Sequence, residues 1–247
     1  MVHAGVQLRG TQKIPPLTKP ARPRTSGISD SPLRRALDCS AALAGLAVLS
    51  PLGLLISGAI KAQDGGPVFY LHPRVGRNFS RFRLLKFRTM SPGADRMGGP
   101  VTVAGDPRVT RVGRFLRRFK LDELPQLVNV VRGEMSLVGP RPESERYVAL
   151  YREQYREILR HRPGITDPAS LAFSNEEELL RGRDAERIYL EEILPCKLAL
   201  SAAYLKNRTV RSDLKILFQT LVRIARPFRN AGPGETSRET RRRGTSP

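Results

Sequence analysis

The chain of 247 residues lacks tryptophan, and aromatic residues of any kind make up only 6% of it. Proteins that bind single-stranded nucleic acid usually stack bases on aromatic side chains, so this composition gives that class little support. Three histidines and two cysteines are present, and Cys39 and Cys196 lie far apart. Their spacing matches no zinc site and predicts two free thiols in a reducing compartment. The absence of a Walker loop and of a dinucleotide-binding glycine motif argues against a kinase or a Rossmann enzyme.

Acidic residues are also scarce, because 23 Asp and Glu stand against 43 Lys and Arg, for a formal net charge of +20. This excess predicts an anionic partner: nucleic acid, anionic lipid or a phosphorylated substrate. Part of it lies in residues 1–31 and 226–247, which are rich in arginine, proline and hydroxyl residues and show no apolar period. We therefore predict a disordered basic arm and a disordered basic tail.

The long uncharged run over residues 39–60 has the length of a transmembrane helix. Ser50-Pro51 lies near its middle, where proline removes a backbone hydrogen bond and should kink the helix. We expect the Ser50 hydroxyl to satisfy the carbonyl left without a donor. Each half is then roughly 18 Å long, too short to cross a hydrocarbon core of about 30 Å.

Basic residues flank this run on both sides, with Arg34 and Arg35 before it and Lys61 after it. The positive-inside rule therefore keeps both ends at the cytoplasmic face. A re-entrant membrane helix over residues 32–62 satisfies both constraints, whereas a straight signal anchor and the core helix of a soluble protein are the alternatives. Asp38 is expected to cap the helix or to pair with one of the two arginines.

Residues 63–225 predict a small, mainly helical domain. Residues 66–70 and 82–87 are typical of short strands, and Lys86 and Arg88 should share one face of the extended segment. Helices are predicted over residues 111–120, 143–160, 184–206 and 212–224. The first of these carries an apolar stripe among arginines, formed by Val112, Phe115, Leu116 and Phe119. That stripe suits either a membrane interface or a protein core.

Two adjacent carboxylates, Asp122 and Glu123, lie in this basic setting at the predicted start of a further helix. One interpretation is that Asp122 is a helix N-cap. The other is phosphoryl chemistry, since the helix dipole and nearby positive charges should lower the pKa of Asp122. The resulting carboxylate can bind Mg²⁺ or attack phosphorus, with Glu123 holding the metal or acting in acid–base catalysis.

Arg117 and Arg141 offer planar guanidinium groups, which bind phosphate oxygens in pairs. Gly139, Pro140 and Pro142 surround Arg141, and the prolines restrict the backbone so that the arginine is preorganised. From the residues alone, two functions fit. One is a membrane-surface phosphotransferase. The other is a membrane-anchored basic protein that binds nucleic acid or anionic lipid without catalysis.

Several motifs resemble those of the bacterial sugar transferase family, the small monotopic polyprenyl-phosphate phosphoglycosyl transferases. They are KFRTM at residues 86–90, LDELPQL at 121–127, GEMSLVGPRP at 133–142 and RPGIT at 162–166. The Ser50-Pro51 pair also matches the kink in the re-entrant helix of that family. The resemblance implies an α+β, mostly helical fold. It comprises a re-entrant membrane helical hairpin, interfacial amphipathic helices and a small cytosolic catalytic domain with short β segments.

The resemblance also implies a two-step reaction. Asp122 attacks the sugar-side phosphate of a UDP-sugar, UMP leaves, and membrane polyprenyl (undecaprenyl) phosphate then takes the phosphosugar from Asp122. Glu123 is the second member of the catalytic pair, and Mg²⁺ is required. The expected phosphate-binding residues are Arg117, Arg141, Lys86 and Arg88.

This reaction would be the first membrane step of a surface glycan pathway, at the cytoplasmic face of the bacterial inner membrane. Membrane lipid, a homodimer partner and downstream glycosyltransferases are expected as partners, and nucleic acid is not. Asp167-Pro168-Ala169-Ser170 stands where many members have Gly-Trp-Ala-Gln, so the identity of the sugar is left open.

Overall fold

The first helix, α1, is one continuous element of 33 residues, Pro32–Asp64, in a computed structural model that describes residues 31–97, 101–181 and 184–230. Pro51 lies inside it, and α1 remains helical on both sides of that proline. The Ser50 hydroxyl donates a hydrogen bond to the Ala47 carbonyl at 2.8 Å. Ala47 is the residue whose usual donor Pro51 cannot supply, so the predicted compensation is confirmed.

Both ends of α1 contact the rest of the protein. At its start, the Arg35 guanidinium donates to the carbonyls of Val130 (2.5 Å) and Val131 (2.7 Å). Near its end, the Gln63 side chain accepts a hydrogen bond from the Val112 N–H at 3.1 Å. The middle is open, and Val48 is 77% exposed. Because little of the apolar stretch is buried, α1 is not the core helix of a soluble protein.

Neither predicted role of Asp38 is seen. Ser31 is the N-cap of α1, and its side chain accepts the Arg34 N–H at 3.3 Å. Asp38 is buried and accepts a hydrogen bond from the Leu137 N–H at 3.4 Å, so it ties α1 to the domain.

The domain after α1 is mostly helical with two small sheets, which confirms the predicted α+β class. Strands β1 (Phe69–Val75) and β2 (Arg81–Phe87) form an antiparallel hairpin, and β3 (Ser136–Val138) pairs in parallel with β4 (Gly164–Thr166). The helices after α1 are α2 (Arg111–Arg118), α3 (Gln126–Arg132), α4 (Glu145–Leu150), α5 (Arg152–Ile158), α6 (Pro168–Ala172), α7 (Glu176–Leu179), α8 (Ala185–Ile188), α9 (Leu194–Lys206) and α10 (Val210–Asn230).

Several predicted boundaries differ from the structure. The strand predicted over 66–70 is β1, Phe69–Val75, which begins three residues later and ends five residues later. The helix predicted over 143–160 is interrupted at Tyr151, whose φ of −115° and ψ of 35° are not helical. The helix predicted over 184–206 contains a π turn, Tyr189–Ile193, between α8 and α9. Helix α10 continues past the predicted domain end at 225 to Asn230, while the rest of the predicted tail and nearly all of the predicted arm lie outside the described residues.

The apolar stripe of α2 was predicted to face either a membrane interface or the protein core, and its side chains differ in this respect. Leu116 and Phe119 are buried, and Leu116 packs with Ile56, Ile60 and Phe87. Phe115, on the same stripe, is exposed. The apolar face of α2 is therefore shared between the protein core and the surface.

Candidate active site

The chain between α2 and α3 places the two carboxylates in a tight turn. Lys120 adopts a left-handed conformation with φ of 55°, and the 3₁₀ turn Leu121–Glu123 follows. Pro125 is the N-cap position of α3 and makes no side-chain capping bond. The predicted cap role of Asp122 is therefore wrong, because α3 begins only after Pro125, where a missing N–H costs nothing.

Asp122 is a buried carboxylate whose hydrogen-bonding capacity is unfilled. It is 7% exposed, and among the described residues its buried Oδ1 has no hydrogen-bond partner. Burial raises the pKa of Asp122, while the positive charge of Lys86 opposes the rise and the negative charge of Glu123 adds to it. The expected lowering of this pKa is corrected: loss of hydration outweighs the nearby positive charges.

Glu123, by contrast, is fully engaged. The Arg141 guanidinium binds it with both arms, at 3.2 Å to Oε2 and 2.5 Å to Oε1. Lys86 Nζ lies 3.6 Å from Oε1. Burial raises the pKa of Glu123, but the Arg141 and Lys86 charges outweigh it and hold the pKa well below its usual range. Glu123 is thus an anion that orients two cations, and its role in acid–base catalysis stays a prediction.

Lys86 reaches this site because an amide side chain fixes its strand, a contact that sequence reasoning missed. Asn129 in α3 is fully buried; its Nδ2 donates to the Arg83 carbonyl at 2.8 Å, and its Oδ1 accepts the Leu85 N–H at 2.9 Å. These bonds hold β2 against α3 one residue before Lys86. Burial lowers the pKa of Lys86, and the charge of Glu123 opposes that change. An asparagine in the middle of an apolar helix was the signal available in the sequence.

Arg141 is presented by a loop that begins at the end of β3. The Gly139 N–H donates to the Thr166 carbonyl at 3.0 Å, and the Gly164 N–H donates to the Pro140 carbonyl at 2.9 Å. A Cβ on Gly139 would lie 2.7 Å from the Arg162 carbonyl oxygen, so only glycine fits. This close approach of two backbones supports the loop-shaping role predicted for Gly139 and its prolines.

Glu143 holds the far end of the same loop. Its carboxylate accepts from Arg74 at 3.1 Å and from the Tyr189 hydroxyl at 2.5 Å. Its carbonyl accepts the Val75 N–H at 3.0 Å. The loop is therefore fixed on both sides of Arg141, which limits the positions that its guanidinium can take.

The two other predicted phosphate ligands, Arg117 and Arg88, have different surroundings. Arg117 lies close enough to Asp122 for its charge to lower that residue's pKa. Arg88 is buried and binds both carboxylate oxygens of Asp64, at the end of α1, as well as the Pro67 carbonyl at 2.5 Å. The structure thus brings Lys86 and Arg141 to Glu123 and leaves Arg117 near Asp122 without a direct contact, and it gives Arg88 contacts that join α1 to β2.

In the part of the chain that the structure describes, no group of three or more His, Cys, Asp or Glu side chains is placed so that it could hold a metal ion. Mg²⁺ commonly takes one or two carboxylates and fills its remaining positions with water and substrate phosphate. The unpartnered Oδ1 of Asp122 fits such an ion. Each oxygen of Glu123 binds Arg141 and keeps a further lone pair, so its role as a metal ligand stays a prediction.

Comparison with known proteins identifies the family that the motifs resemble. The profile of the bacterial sugar transferase family matches residues 29–227. The chain belongs to this family, a family of polyprenyl-phosphate sugar phosphotransferases.

Three relatives illustrate the match. The exopolysaccharide production protein ExoY of Sinorhizobium fredii is 38% identical over 84% of this chain and 90% of its own length. The UDP-glucose:undecaprenyl-phosphate glucose-1-phosphate transferase of Caulobacter vibrioides is 38% identical over 76% of this chain and 68% of its own. The undecaprenyl-phosphate glucose phosphotransferase of Komagataeibacter xylinus is 39% identical, and the match covers 77% of this chain but 35% of that relative.

Proposed function

We propose that this enzyme transfers a sugar phosphate from a UDP-sugar to polyprenyl (undecaprenyl) phosphate and releases UMP, as the first membrane step of an exopolysaccharide or similar surface glycan. The observation that carries the proposal is Asp122: a buried carboxylate with an unpartnered oxygen, surrounded by cationic side chains. A buried acid without a hydrogen bond is costly, and such groups concentrate at functional sites.

In the first step, a carboxylate oxygen of Asp122 attacks the sugar-side phosphorus of the UDP-sugar. The bond from that phosphorus to the bridging oxygen breaks, and UMP leaves with this oxygen and its electron pair. A sugar phosphate remains joined to Asp122 as an acyl phosphate. In the second step, a phosphate oxygen of the lipid attacks the same phosphorus, which gives the diphosphate-linked lipid and restores the Asp122 carboxylate.

The neighbouring cations have distinct tasks in this reaction. Lys86 favours the ionised form of Asp122 against the effect of burial. Glu123 keeps Arg141 in place through its two hydrogen bonds, so the guanidinium faces charge that develops on the transferred phosphoryl group. Mg²⁺, held by Asp122 and substrate oxygens, would neutralise diphosphate charge when bound.

The deciding experiment is covalent labelling. Purified enzyme is incubated with Mg²⁺ and UDP-sugars that carry a radiolabelled sugar-side phosphate, without lipid acceptor, and UMP is measured alongside. We expect label on the wild type and on Glu153→Gln, a control at an exposed carboxylate, but none on Asp122→Asn. Label retained by Asp122→Asn would exclude Asp122 as the nucleophile. A panel of UDP-sugars in the same assay would identify the sugar.

The membrane part of the proposal is that α1 is re-entrant, with both ends at the cytoplasmic face of the inner membrane. Its support is that Arg35 near one end and Asp64 at the other both bind the same domain, while Val48 and its neighbours are exposed. A helix that crosses the bilayer end-on would carry one end away from that domain. In α10, the exposed side chains of Leu214, Phe218 and Leu221 support further contact with lipid.

Topology can be tested with single cysteines at two exposed sites, Leu33→Cys and Ala62→Cys, in a chain whose Cys39 and Cys196 are replaced by alanine. In sealed, oriented vesicles, a membrane-impermeant maleimide should label both from the cytoplasmic side. Labelling from opposite sides would establish a spanning helix instead.

The non-catalytic alternative, a basic protein that binds nucleic acid or lipid, accounts for the charge of +20 but not for the buried Asp122 next to Glu123, whose side chain is 13% exposed. A homodimer and complexes with downstream glycosyltransferases stay predictions.

A further inference from the structure

Arg117 is held by two acceptors of very different character. Its Nε donates to the Thr89 hydroxyl at 2.9 Å, and its Nη1 donates to the Glu177 carboxylate at 3.0 Å. Thr89 is 7% exposed, whereas the side chain of Glu177 is 48% exposed. One partner is thus a fixed part of the protein interior, and the other is a surface carboxylate that can be exchanged.

The position of Thr89 is set by the helix that carries Arg117. Its carbonyl accepts hydrogen bonds from the N–H (3.0 Å) and the hydroxyl (3.3 Å) of Thr110, the N-cap of α2. Gly113 packs directly on this carbonyl, since a Cβ on Gly113 would lie 2.0 Å from the Thr89 carbonyl oxygen. Thr89 therefore contacts the first turn of α2 through its carbonyl and Arg117, in the last turn of α2, through its hydroxyl. Because the carbonyl is fixed, the hydroxyl holds the Arg117 guanidinium in one position.

Glu177 belongs to the single turn α7, and its carbonyl accepts the Ala104 N–H at 2.8 Å. Ion pairs as exposed as Arg117 with Glu177 are weak, because water and salt screen them. The Glu177 carboxylate nonetheless occupies an N–H of the fork that arginine uses to bind phosphate, and carboxylate and phosphate compete for the same donor geometry.

We propose that Thr89 is a positioning residue for Arg117, and that Glu177 is an internal substitute for a phosphate oxygen, displaced when the UDP-sugar binds. The inference rests on the proposed function, because it takes Arg117 as a ligand of the donor's diphosphate. It assigns opposite effects to the two partners: loss of the Thr89 hydroxyl should weaken donor binding, and loss of the Glu177 charge should strengthen it.

The test compares matched variants by the KM for the UDP-sugar in UMP release and by the Kd for UDP with Mg²⁺ in equilibrium binding. Thr89→Val, which keeps the shape but lacks the hydroxyl, should raise both constants roughly tenfold, the effect of losing a hydrogen bond to a charged group. Thr89→Ser should stay near the wild-type values. Glu177→Gln should lower both constants by about two- to fivefold, with kcat unchanged, and the gain should vanish at high salt. The exposed neighbour on the same turn provides the control Glu178→Gln, which should change neither constant.

Each assignment can be overturned separately. An unchanged or raised Kd in Glu177→Gln would exclude the substitute role, and a Thr89→Ser variant as impaired as Thr89→Val would show that Thr89 acts only through packing. If the wild type binds UDP but releases no UMP from any UDP-sugar, the proposed function fails while the binding comparison still decides this inference. If the wild type releases UMP from a UDP-sugar while the Thr89 and Glu177 variants change neither KM nor Kd, this inference fails and the proposed function stands.

Discussion

Two buried aspartates, Asp122 and Asp213, lie among basic side chains in different regions of the molecule, and their surroundings are opposite. Asp213 accepts hydrogen bonds from Arg34 of α1, from the Tyr204 hydroxyl of α9 and, at 3.5 Å, from Arg208. Asp122 is equally buried, yet its Oδ1 has no partner among the described residues. The acid that is fully paired joins three elements of the fold, and the acid with an unfilled oxygen lies at the candidate active site.

The comparison separates a structural role from a chemical one. A buried carboxylate stabilises a fold only when its hydrogen bonds and charge are matched, as at Asp213. At Asp122 the protein keeps a carboxylate whose burial works against its charged form. Buried, unmatched groups of this kind concentrate at functional sites, which supports the role proposed for Asp122.

The largest contrast should come from Asp122→Asn. We expect turnover to fall by at least about 10³-fold, as for loss of other enzymic nucleophiles, because an amide does not attack phosphorus. The thermal midpoint should not fall, since Oδ1 loses no hydrogen bond. Far-UV circular dichroism in detergent is the suitable probe of unfolding, because the chain has no tryptophan. A large drop in the midpoint would make Asp122 a structural residue like Asp213.

The converse is expected of Asp213→Asn. This change leaves Arg34 and Arg208 without their counter-charge, and breaking a buried pair in this way typically costs about 3 kcal/mol of unfolding free energy. Turnover per folded molecule should stay within about twofold, because Asp213 lies outside the candidate active site and its loss affects the stability of the fold. The thermal midpoint and UMP release, measured on the same sample, test both parts. An Asp213→Asn variant that keeps its thermal midpoint but loses turnover would contradict the structural role assigned to Asp213.

Arg141→Ala should reduce kcat/KM by about 10²- to 10³-fold, the range seen when a charge-stabilising donor is removed. Arg141→Lys should recover only part of this loss, because lysine keeps the charge but not the fork that binds Glu123 at two points. UMP release at several UDP-sugar concentrations gives the values. Near-normal turnover of the alanine variant would remove Arg141 from the site.

The smallest effects concern pH. Asp122 must lose its proton to attack, so kcat/KM should rise as pH rises through the pKa of Asp122, which burial places above the usual range. Lys86 lowers this pKa, so Lys86→Met should move the acid limb to higher pH. Glu123 raises it, so Glu123→Gln should move the limb to lower pH. The two variants should thus shift the acid limb in opposite directions. A shift in the same direction for both would contradict the effects assigned to Lys86 and Glu123 on the pKa of Asp122.

Elements with a strong local pattern were predictable from the sequence. Strand β2 and the amphipathic α2 appear close to the expected residues, because alternation and helical periodicity are properties of consecutive residues, whereas β1 shares only two residues with the strand predicted over 66–70. The β3–β4 pair was missed, since strands of three residues carry almost no periodic signal and their pairing depends on distant chain segments. The interruption of the predicted helix at Tyr151 was also missed, because no proline or glycine lies there to indicate a break.

The candidate site divides in the same way. Asp122 and Glu123 were identifiable because they are adjacent in one motif, and Arg141 because the glycine and prolines around it restrict the backbone of a second motif. The direction of the Asp122 pKa shift was predicted wrongly, because burial is a property of the folded chain. Asn129 and Thr89 were overlooked as positioning residues, since neutral side chains do not stand out among so many charges.

The sequence by itself determined the basic charge, the apolar run with its Ser50-Pro51 break, and the carboxylate pair followed by a Pro-Arg-Pro loop. Only the tertiary structure decided which cation meets which anion: Arg88 binds Asp64, Arg141 binds Glu123, and Arg34 binds Asp213. The reason is physical. With 43 basic side chains, Coulomb attraction along the chain favours many pairings almost equally, and only the packing of backbone segments brings particular groups within hydrogen-bonding distance.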